Sequence, residues 1–197
     1  MSGSSSHRKA FEALVKPNMD AMYRTALRMS RDRTAAEDLV QECCLRAYRS
    51  FADFQSGTNF KAWIFRILTN LCIDRARQAR LAQMVPVDSV VTTLASEAVW
   101  GDPERQAQAS DLRSDIQSAL DRLPQELRMV VLLVLIEELS YAEAADNLDL
   151  PISTVRSRLH RAREELRDRL SSHANGSSDA IVHADFRAAR LKRTALQ

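Results

Sequence analysis

The sequence predicts an all-α protein: two small helical domains joined by a flexible linker, the C-terminal one containing a helix-turn-helix. Three observations predict it. Only 4 Gly and 5 Pro occur in 197 residues, while Ala, Leu and Arg abound, a composition that favours helix. Apolar residues recur at three- and four-residue intervals, with no sustained alternation. The period fades once, at Arg80, and Met84 to Gly101 then holds Pro86 among Val and Thr before Asp102-Pro103-Glu104, a stretch long for a connection inside one compact domain. The expected organisation is a mobile start over residues 1–9, a first domain over 10–82, a linker over 83–110, a second domain over 111–171 and a tail over 172–197.

The start, MSGSSSHRK, lacks the apolar run of a signal peptide. The longest strongly apolar run, Met129 to Ile136, falls far short of the ~20 residues that cross a bilayer. A cytoplasmic protein with no membrane insertion is expected. From Ala10 to Met29 the set Phe11, Leu14, Val15, Met22, Ala26 and Met29 keeps helical spacing, interrupted at Lys16-Pro17-Asn18. Because Pro17 has no amide to donate, two helical pieces or one kinked helix fit equally. Asp32 or Thr34 can cap the next helix, Ala35 to Ser50.

That helix has two sides. Ala36, Leu39, Val40, Cys43 and Ala47 face a core; Glu37, Asp38, Gln41, Glu42, Leu45 and Tyr48 look outward. An outward Leu among carboxylates and an amide suits another protein's helix, and a solvated acidic face explains the pattern as well.

Phe51 to Arg77 then gives a polar loop and a helix from about Thr58. Phe60, Ile64, Ile67, Leu68 and Leu71 share its core face, while Trp63, Arg66, Asn70, Ile73 and Arg77 form a second stripe. Rings on which bases stack, cations for phosphate and an amide for base edges are what single-stranded nucleic acid requires of a surface. Taken alone, an amphipathic helix with a solvated polar side and a half-buried Trp is the simpler account.

Helix resumes around Pro103 to Leu123. Ile116, Leu120 and Leu123 precede Pro124, and Leu127, Val130, Val131, Leu133, Val134 and Leu135 give a helix apolar almost all round, the centre of a small core. Ser140-Tyr141-Ala142-Glu143 is a capping box opening a short helix to Leu148. Asp149-Leu150-Pro151 ends it, and Ser153 can cap a last helix through Leu170. Short helix, tight turn and long helix make a helix-turn-helix.

On the last helix Val155, Leu159, Ala162, Leu166 and Leu170 turn inward, leaving Arg156, Ser157, His160, Arg161, Arg163 and Arg167 on the surface. Glu164, Glu165 and Asp168 offer these cations intrahelical partners. Six Arg on a helix-turn-helix nonetheless favour DNA, since Arg bonds guanine bidentately and a recognition helix enters the major groove N-terminus first. The segment SSHANGSS and the stretch to Gln197 read as a linker with either a short basic helix or a disordered end.

Charge alternates along the chain. Residues 1–81 hold 14 Lys/Arg against 8 Asp/Glu, or +6; residues 82–110 hold 1 against 4, or −3; residues 111–151 hold 3 against 9, or −6; residues 152–170 hold 6 against 3, or +3. Two nucleic-acid surfaces flanked by acidic surface fit this pattern. Cys43, Cys44 and Cys72 are odd in number and lack paired ligand spacing, so buried thiols are expected rather than a disulfide or a metal site. No nucleophile or ligand constellation appears, and neither enzymatic activity nor a cofactor is expected.

AAEDLVQECCLRAYRSFADFQSGTNFKAWIFRILTNLCIDRAR, Ala35 to Arg77, resembles the second conserved region of the extracytoplasmic-function sigma factors, the small bacterial sigma-70-type subunits of RNA polymerase. LPQELRMVVLLVLIEELSYAEAADNLDLPISTVRSRLHRAREELRDRL resembles their fourth region, and the likeness covers about Phe11 to Leu170. The wording GTNFKAWIFRILTN is most similar to the branch regulating thiol-oxidative stress.

The resemblance implies roles. Glu37, Asp38, Leu39, Gln41 and Glu42 match the segment that docks on the polymerase clamp helices. Phe54, Ser56, Gly57, Thr58 and Asn59 match the loop that captures a flipped base of the minus-ten element, with Trp63, Arg66 and Asn70 on the adjoining helix. Arg156, Ser157, His160 and Arg161 match the helix reading the minus-thirty-five element. Met84 to Gln108 would thread towards the polymerase active centre, and Leu133 and its neighbours would sit near the flap. Core RNA polymerase, promoter DNA and an anti-sigma factor are the implied partners, with a stress regulon as the target. The sequence departs from the family at Ser153, where Gly is frequent, and in its longer tail. A self-standing helix-turn-helix repressor, or a sigma mimic sequestering an anti-sigma factor, is the competing reading; neither needs a base pocket or a clamp patch.

Overall fold

In the computed structural model of the protein, residues 3–83 and 116–171 are described; all their regular structure is helical, with no strand among them. The expected linker over 83–110 and the tail over 172–197 lie essentially outside the described residues.

Helix α1 (Gly3–Val15) begins well before the expected Ala10, so the Ser-rich start is largely helical. Tertiary contact overrides composition there: the His7 ring meets Tyr48 and Phe51 edge-on at 5.6 and 5.1 Å, and Phe11 is buried. Pro17 sits in a 3-10 turn, Lys16–Asn18, before α2 (Met19–Ser30), so the two-piece alternative holds. Leu14, placed in the buried set by its spacing, is exposed. Arg31 ends α2 in the left-handed region (φ 58°), and Asp32 caps α3 (Arg33–Arg49) by accepting a 2.6 Å bond from the Ala35 amide.

α2 packs on α3, and both pack on α4 (Phe60–Gln83). Ala26, Ala36 and Ala47 are fully buried, and such small side chains let helix backbones approach closely. Met22, Cys43, Ile64, Phe65 and Leu68 fill the remaining volume without exposure. Full burial is worth about 1.5–3 kcal/mol for a side chain of Phe65's size. Phe60, Ile64, Leu68 and Leu71 are buried, with Ile67 packed at the edge, so the predicted core face of α4 is the observed one.

The second unit comprises α5 (116–122), α6 (Gln125–Val131), α7 (Tyr141–Leu148) and α8 (Ile152–Ser171). The apolar helix anticipated after Pro124 divides, because residues Leu132–Ile136 form a π-helical turn closed by a 2.9 Å bond from the Glu137 amide to the Leu132 carbonyl. Leu133 is fully buried there. Buried Arg128 is the staple of the unit. It donates to the carbonyls of Leu120 at 2.8 Å, Asp121 at 2.7 Å and Leu123 at 2.9 Å, satisfying the C-terminal end of α5, and reaches the Arg28 carbonyl at 3.3 Å.

The capping box is present as read: Ser140 Oγ accepts from the Glu143 amide at 3.2 Å, and Glu143 accepts from the Ser140 amide at 2.8 Å. Asp149 then turns the chain in the left-handed region (φ 52°). Ser153 is not the cap of α8. The helix starts at Ile152, and the Pro151 carbonyl accepts from the amides of Thr154 and Val155, so Ser153 lies within the first turn.

The two units are not held apart. α7 packs against α4, and the buried apolar residues of both units form one connected cluster. A polar seam runs beside it. Glu137 has no exposed side-chain surface; its carboxylate pairs with Lys61 Nζ at 2.8 Å and accepts from Thr25 Oγ at 3.2 Å. Arg31 pairs with Asp121 at 3.7 Å and donates to its carbonyl oxygen.

Candidate nucleic-acid interface

The loop between α3 and α4 is shaped by its own backbone. A 3-10 turn, Phe51–Asp53, leads into Phe54, and the Thr58 amide and hydroxyl both donate to the Gln55 carbonyl, at 3.1 and 2.8 Å. Gly57 occupies φ 96°, open to L side chains only under strain. Asn59 Oδ1 then accepts from the amides of Lys61 and Ala62 at 3.1 and 3.3 Å, so Asn59 caps α4. Ser56, Gly57, Thr58 and Asn59 are exposed.

Behind the loop stands a lattice of rings. Phe54 stacks on Phe51 (centroids 6.0 Å, planes 7° apart), meets Phe60 edge-on at 5.3 Å and lies 5.2 Å from Trp63. Each such pair adds about 0.5–1.5 kcal/mol beyond area burial. Phe54 and Trp63 are therefore half-buried walls, held before any ligand arrives. Arg66 and Asn70 are exposed one and two turns further along α4. Loop, aromatic wall, cation and amide are thus brought together on one side of the first unit.

On the helix-turn-helix, Arg156, Ser157, His160 and Arg161 are all exposed on α8. The Arg156 guanidinium lies 5.7 Å from the centroid of the Tyr141 ring on α7, an aromatic support that leaves its five N–H donors available. His160 lies 3.4 Å from Glu164, and Ser157 Oγ donates to the Thr154 carbonyl at 3.0 Å. Arg158 points elsewhere, pairing with Glu126 at 2.9 Å to fasten α8 to α6. Tyr141 was missed by sequence reasoning; its place one residue after the Ser140 cap was the available signal.

The outward side of α3 is less acidic than its sequence suggests, because Glu37 pairs with Arg33 at 3.1 Å and Glu42 with Arg46 at 2.7 Å. Asp38 lies 3.7 Å from Arg75 of α4. Leu39 is only 4% exposed and so forms the floor of this surface rather than an outward contact. Above it, α3 and the end of α4 enclose an open groove of ≈ 690 Å³ lined by Asp38, Gln41 and Glu42, with Leu45 and Leu81 exposed at 53% and 66%. The groove was not foreseen, since it needs both helices.

Cys43 and Cys72 are buried and Cys44 half-buried 3.8 Å from the Met19 sulfur. Burial pushes all three thiols up, Cys72 to about 12, leaving little thiolate at neutral pH. Among the described residues no cluster of His, Cys, Asp and Glu is suited to a metal ion, and no helix is long and apolar enough to cross a membrane.

Among the described residues, an all-helical fold with a helix-turn-helix and a separate aromatic–cationic surface has the chemistry that nucleic acid requires of a protein. Two family models place it further: Sigma-70 region 2 matches residues 14–81, and Sigma-70, region 4 matches residues 113–166. The chain is 38% identical over 178 residues to the ECF RNA polymerase sigma factor SigE of Mycolicibacterium smegmatis, covering 90% of this chain and 68% of that protein. It is 35% identical over 166 residues to the ECF RNA polymerase sigma factor SigW of Bacillus subtilis, covering 82% and 89%.

Two solved structures are similar. The sigma factor RpoE in complex with the anti-sigma factor NepR from Bartonella quintana aligns with a TM-score of 0.63 at 29% identity, covering 83% of this chain and 98% of that one. CnrH in complex with the cytosolic domain of CnrY aligns at 0.58 and 26%, covering 85% and 91%. The chain belongs to the extracytoplasmic-function sigma factors. It is a transcription-initiation subunit of RNA polymerase, not an enzyme in its own right.

Proposed function

We propose that the protein captures the non-template strand of the minus-ten element in the loop Phe54 and Ser56 to Asn59, against Trp63, Arg66 and Asn70. The observation that carries this reading is the ring lattice that holds Phe54 and Trp63 in place beside an exposed amide and guanidinium. A base taken out of the stack costs a few kcal/mol, and base–aromatic stacking of about 1–3 kcal/mol offsets it. Arg156, Ser157, His160 and Arg161 read the minus-thirty-five element in the major groove. Glu37, Asp38, Gln41 and Glu42, with Leu45 and the groove beside them, dock on the clamp helices of core polymerase.

The protein works in the cytoplasm, on a stress regulon, under an anti-sigma factor; both solved relatives described above are in complex with a second protein, in one case named as an anti-sigma factor. The wording GTNFKAWIFRILTN adds thiol-oxidative stress as the inducing condition. With Cys43 and Cys72 buried and Cys44 half-buried, that signal would be sensed by the partner. The reading is tested by run-off transcription with purified core polymerase on a promoter library. Selection of paired minus-thirty-five and minus-ten sequences supports it, and transcription no greater than core polymerase alone rules it out.

A further inference from the structure

Ile152 is 43% exposed at the first position of α8, and Tyr141 is 36% exposed at the first position of α7; among the described residues no other large apolar side chain of the second unit is exposed. Both stand beside Arg156, whose guanidinium lies 5.7 Å from the Tyr141 ring and which follows Ile152 by one helical turn. Tyr141 thus has a partner in the protein, a cation for its ring. Ile152 has no such use.

The core does not need Ile152 either. Leu150, before Pro151, packs against the buried cluster, and Val155 is fully buried, so the turn is already anchored on both sides. Ile152, Arg156 and His160 recur every four residues along α8, and all three are exposed. An apolar side chain therefore heads the stripe that carries a DNA-reading cation.

Local structure holds it in place. The Pro151 carbonyl accepts from the amides of Thr154 at 2.9 Å and Val155 at 3.1 Å, which fixes the first turn of α8. A β-branched side chain in a helix keeps essentially one χ1 rotamer, so Ile152 has little freedom to lose when a ligand covers it. No acid lies in that first turn, and the N-terminal end of a helix carries a partial positive charge. A duplex can approach there without repulsion.

In a major groove an apolar group at that position finds a defined complement. Thymine alone presents a methyl group, beside the hydrogen-bond donors and acceptors of the other base edges. A recognition helix enters N-terminus first, with its leading residues against the bases. Four residues of helix advance ~6 Å, at most about two base-pair steps of ~3.4 Å. Resting on the reading of the minus-thirty-five element by α8 proposed above, we infer that Ile152 recognises the 5-methyl group of a thymine within two base pairs of the one that Arg156 reads. The contact is apolar, carries sequence information and adds nothing to phosphate binding.

The test uses holoenzyme assembled from the full chain and core polymerase, on a promoter duplex selected by run-off transcription. Each thymine of the minus-thirty-five element, on either strand, is replaced singly by deoxyuridine, which removes the methyl group and leaves base pairing intact. With wild type, one replacement should weaken competition binding about fourfold, the worth of one buried methylene-sized group. Ile152→Ala should bind the thymine promoter at least about fourfold more weakly and no longer distinguish thymine from deoxyuridine at that position. Ile152→Val keeps a β-branched apolar contact and should retain most of the preference. The dependence of affinity on salt should match wild type in both variants, since no phosphate contact changes.

A deoxyuridine penalty that survives in Ile152→Ala would overturn the methyl contact, as would the absence of any penalty within two base pairs of the position that Arg156 reads. Arg156→Ala separates the two ideas. If it leaves discrimination unchanged at every base pair, the reading by α8 fails; if it relaxes one pair while the deoxyuridine penalty ignores residue 152, the methyl contact alone fails.

Discussion

Asn59 and Glu143, 84 positions apart in sequence, are joined by a 2.6 Å hydrogen bond from the asparagine amide to the glutamate carboxylate. Each is also a helix cap: Asn59 Oδ1 receives the first amides of α4, and Glu143 receives the Ser140 amide ahead of α7. The bond therefore couples the start of α4 to the start of the helix-turn-helix.

The coupling gives Glu143 a pH signature. Its burial raises the carboxyl pKa, but hydrogen bonds from Ser140, through side chain and backbone, and from Asn59 outweigh it and hold the group below its ordinary 4.5. A depressed folded pKa contributes stability above the unfolded value that is lost as pH falls through the folded one. Melting temperatures of wild type and Glu143→Gln should therefore differ by a constant amount from pH 7 to about 5 and converge below about 4.5. A gap that does not narrow at all as the carboxylates are titrated with acid would show that the carboxylate is not the source.

Arg156 should be worth about 1–3 kcal/mol of discrimination at a single base pair. Arg156→Ala relaxes that position alone, as measured by competition among single-base variants of the minus-thirty-five element. Tyr141→Leu, which removes the ring 5.7 Å from the guanidinium, should cost about 0.5–1 kcal/mol at the same position. Equal loss at every position would mean that Arg156 touches phosphate only.

Asp38→Arg places a cation on the groove between α3 and α4 and next to Arg75. Association with core polymerase should be lost in co-purification while the melting temperature stays near wild type. Retained association would remove this face of α3 from the polymerase contact.

Gly57→Ala meets no steric neighbour, since nothing lies within 4 Å of a Cβ built there. Its cost is conformational, about 1–2 kcal/mol for an L residue held at positive φ. Most of that should appear as slower promoter melting with unchanged polymerase affinity, because the loop can relax without disturbing α4. A purely global loss of stability would show that the loop is integral to the core.

Much of this molecule could be read from spacing. The buried face of α4, the break at Pro17, the capping box at Ser140 and the Arg-rich surface of α8 all follow from local rules, and each is where those rules place it. What could not be read depends on contacts distant in sequence. Helix α1 reaches back to Gly3 because His7 and Phe11 find rings on other elements. Arg128 and Glu137 are charges that helical spacing gives no reason to bury, yet both are buried, one stapling carbonyl ends and the other pairing across the seam. No one-dimensional pattern brings Glu137 to Lys61.

The capture of the minus-ten strand by the loop and α4 is tested most directly by permanganate reactivity of thymines around the minus-ten element in complexes with core polymerase. Wild type should expose unpaired thymines there, and Asn70→Ala should lower that reactivity at least about tenfold, the equivalent of 1.4 kcal/mol, with polymerase binding intact. Equal reactivity with Asn70→Ala, at equal polymerase occupancy, would contradict the assignment of Asn70 and its neighbours to the melted strand.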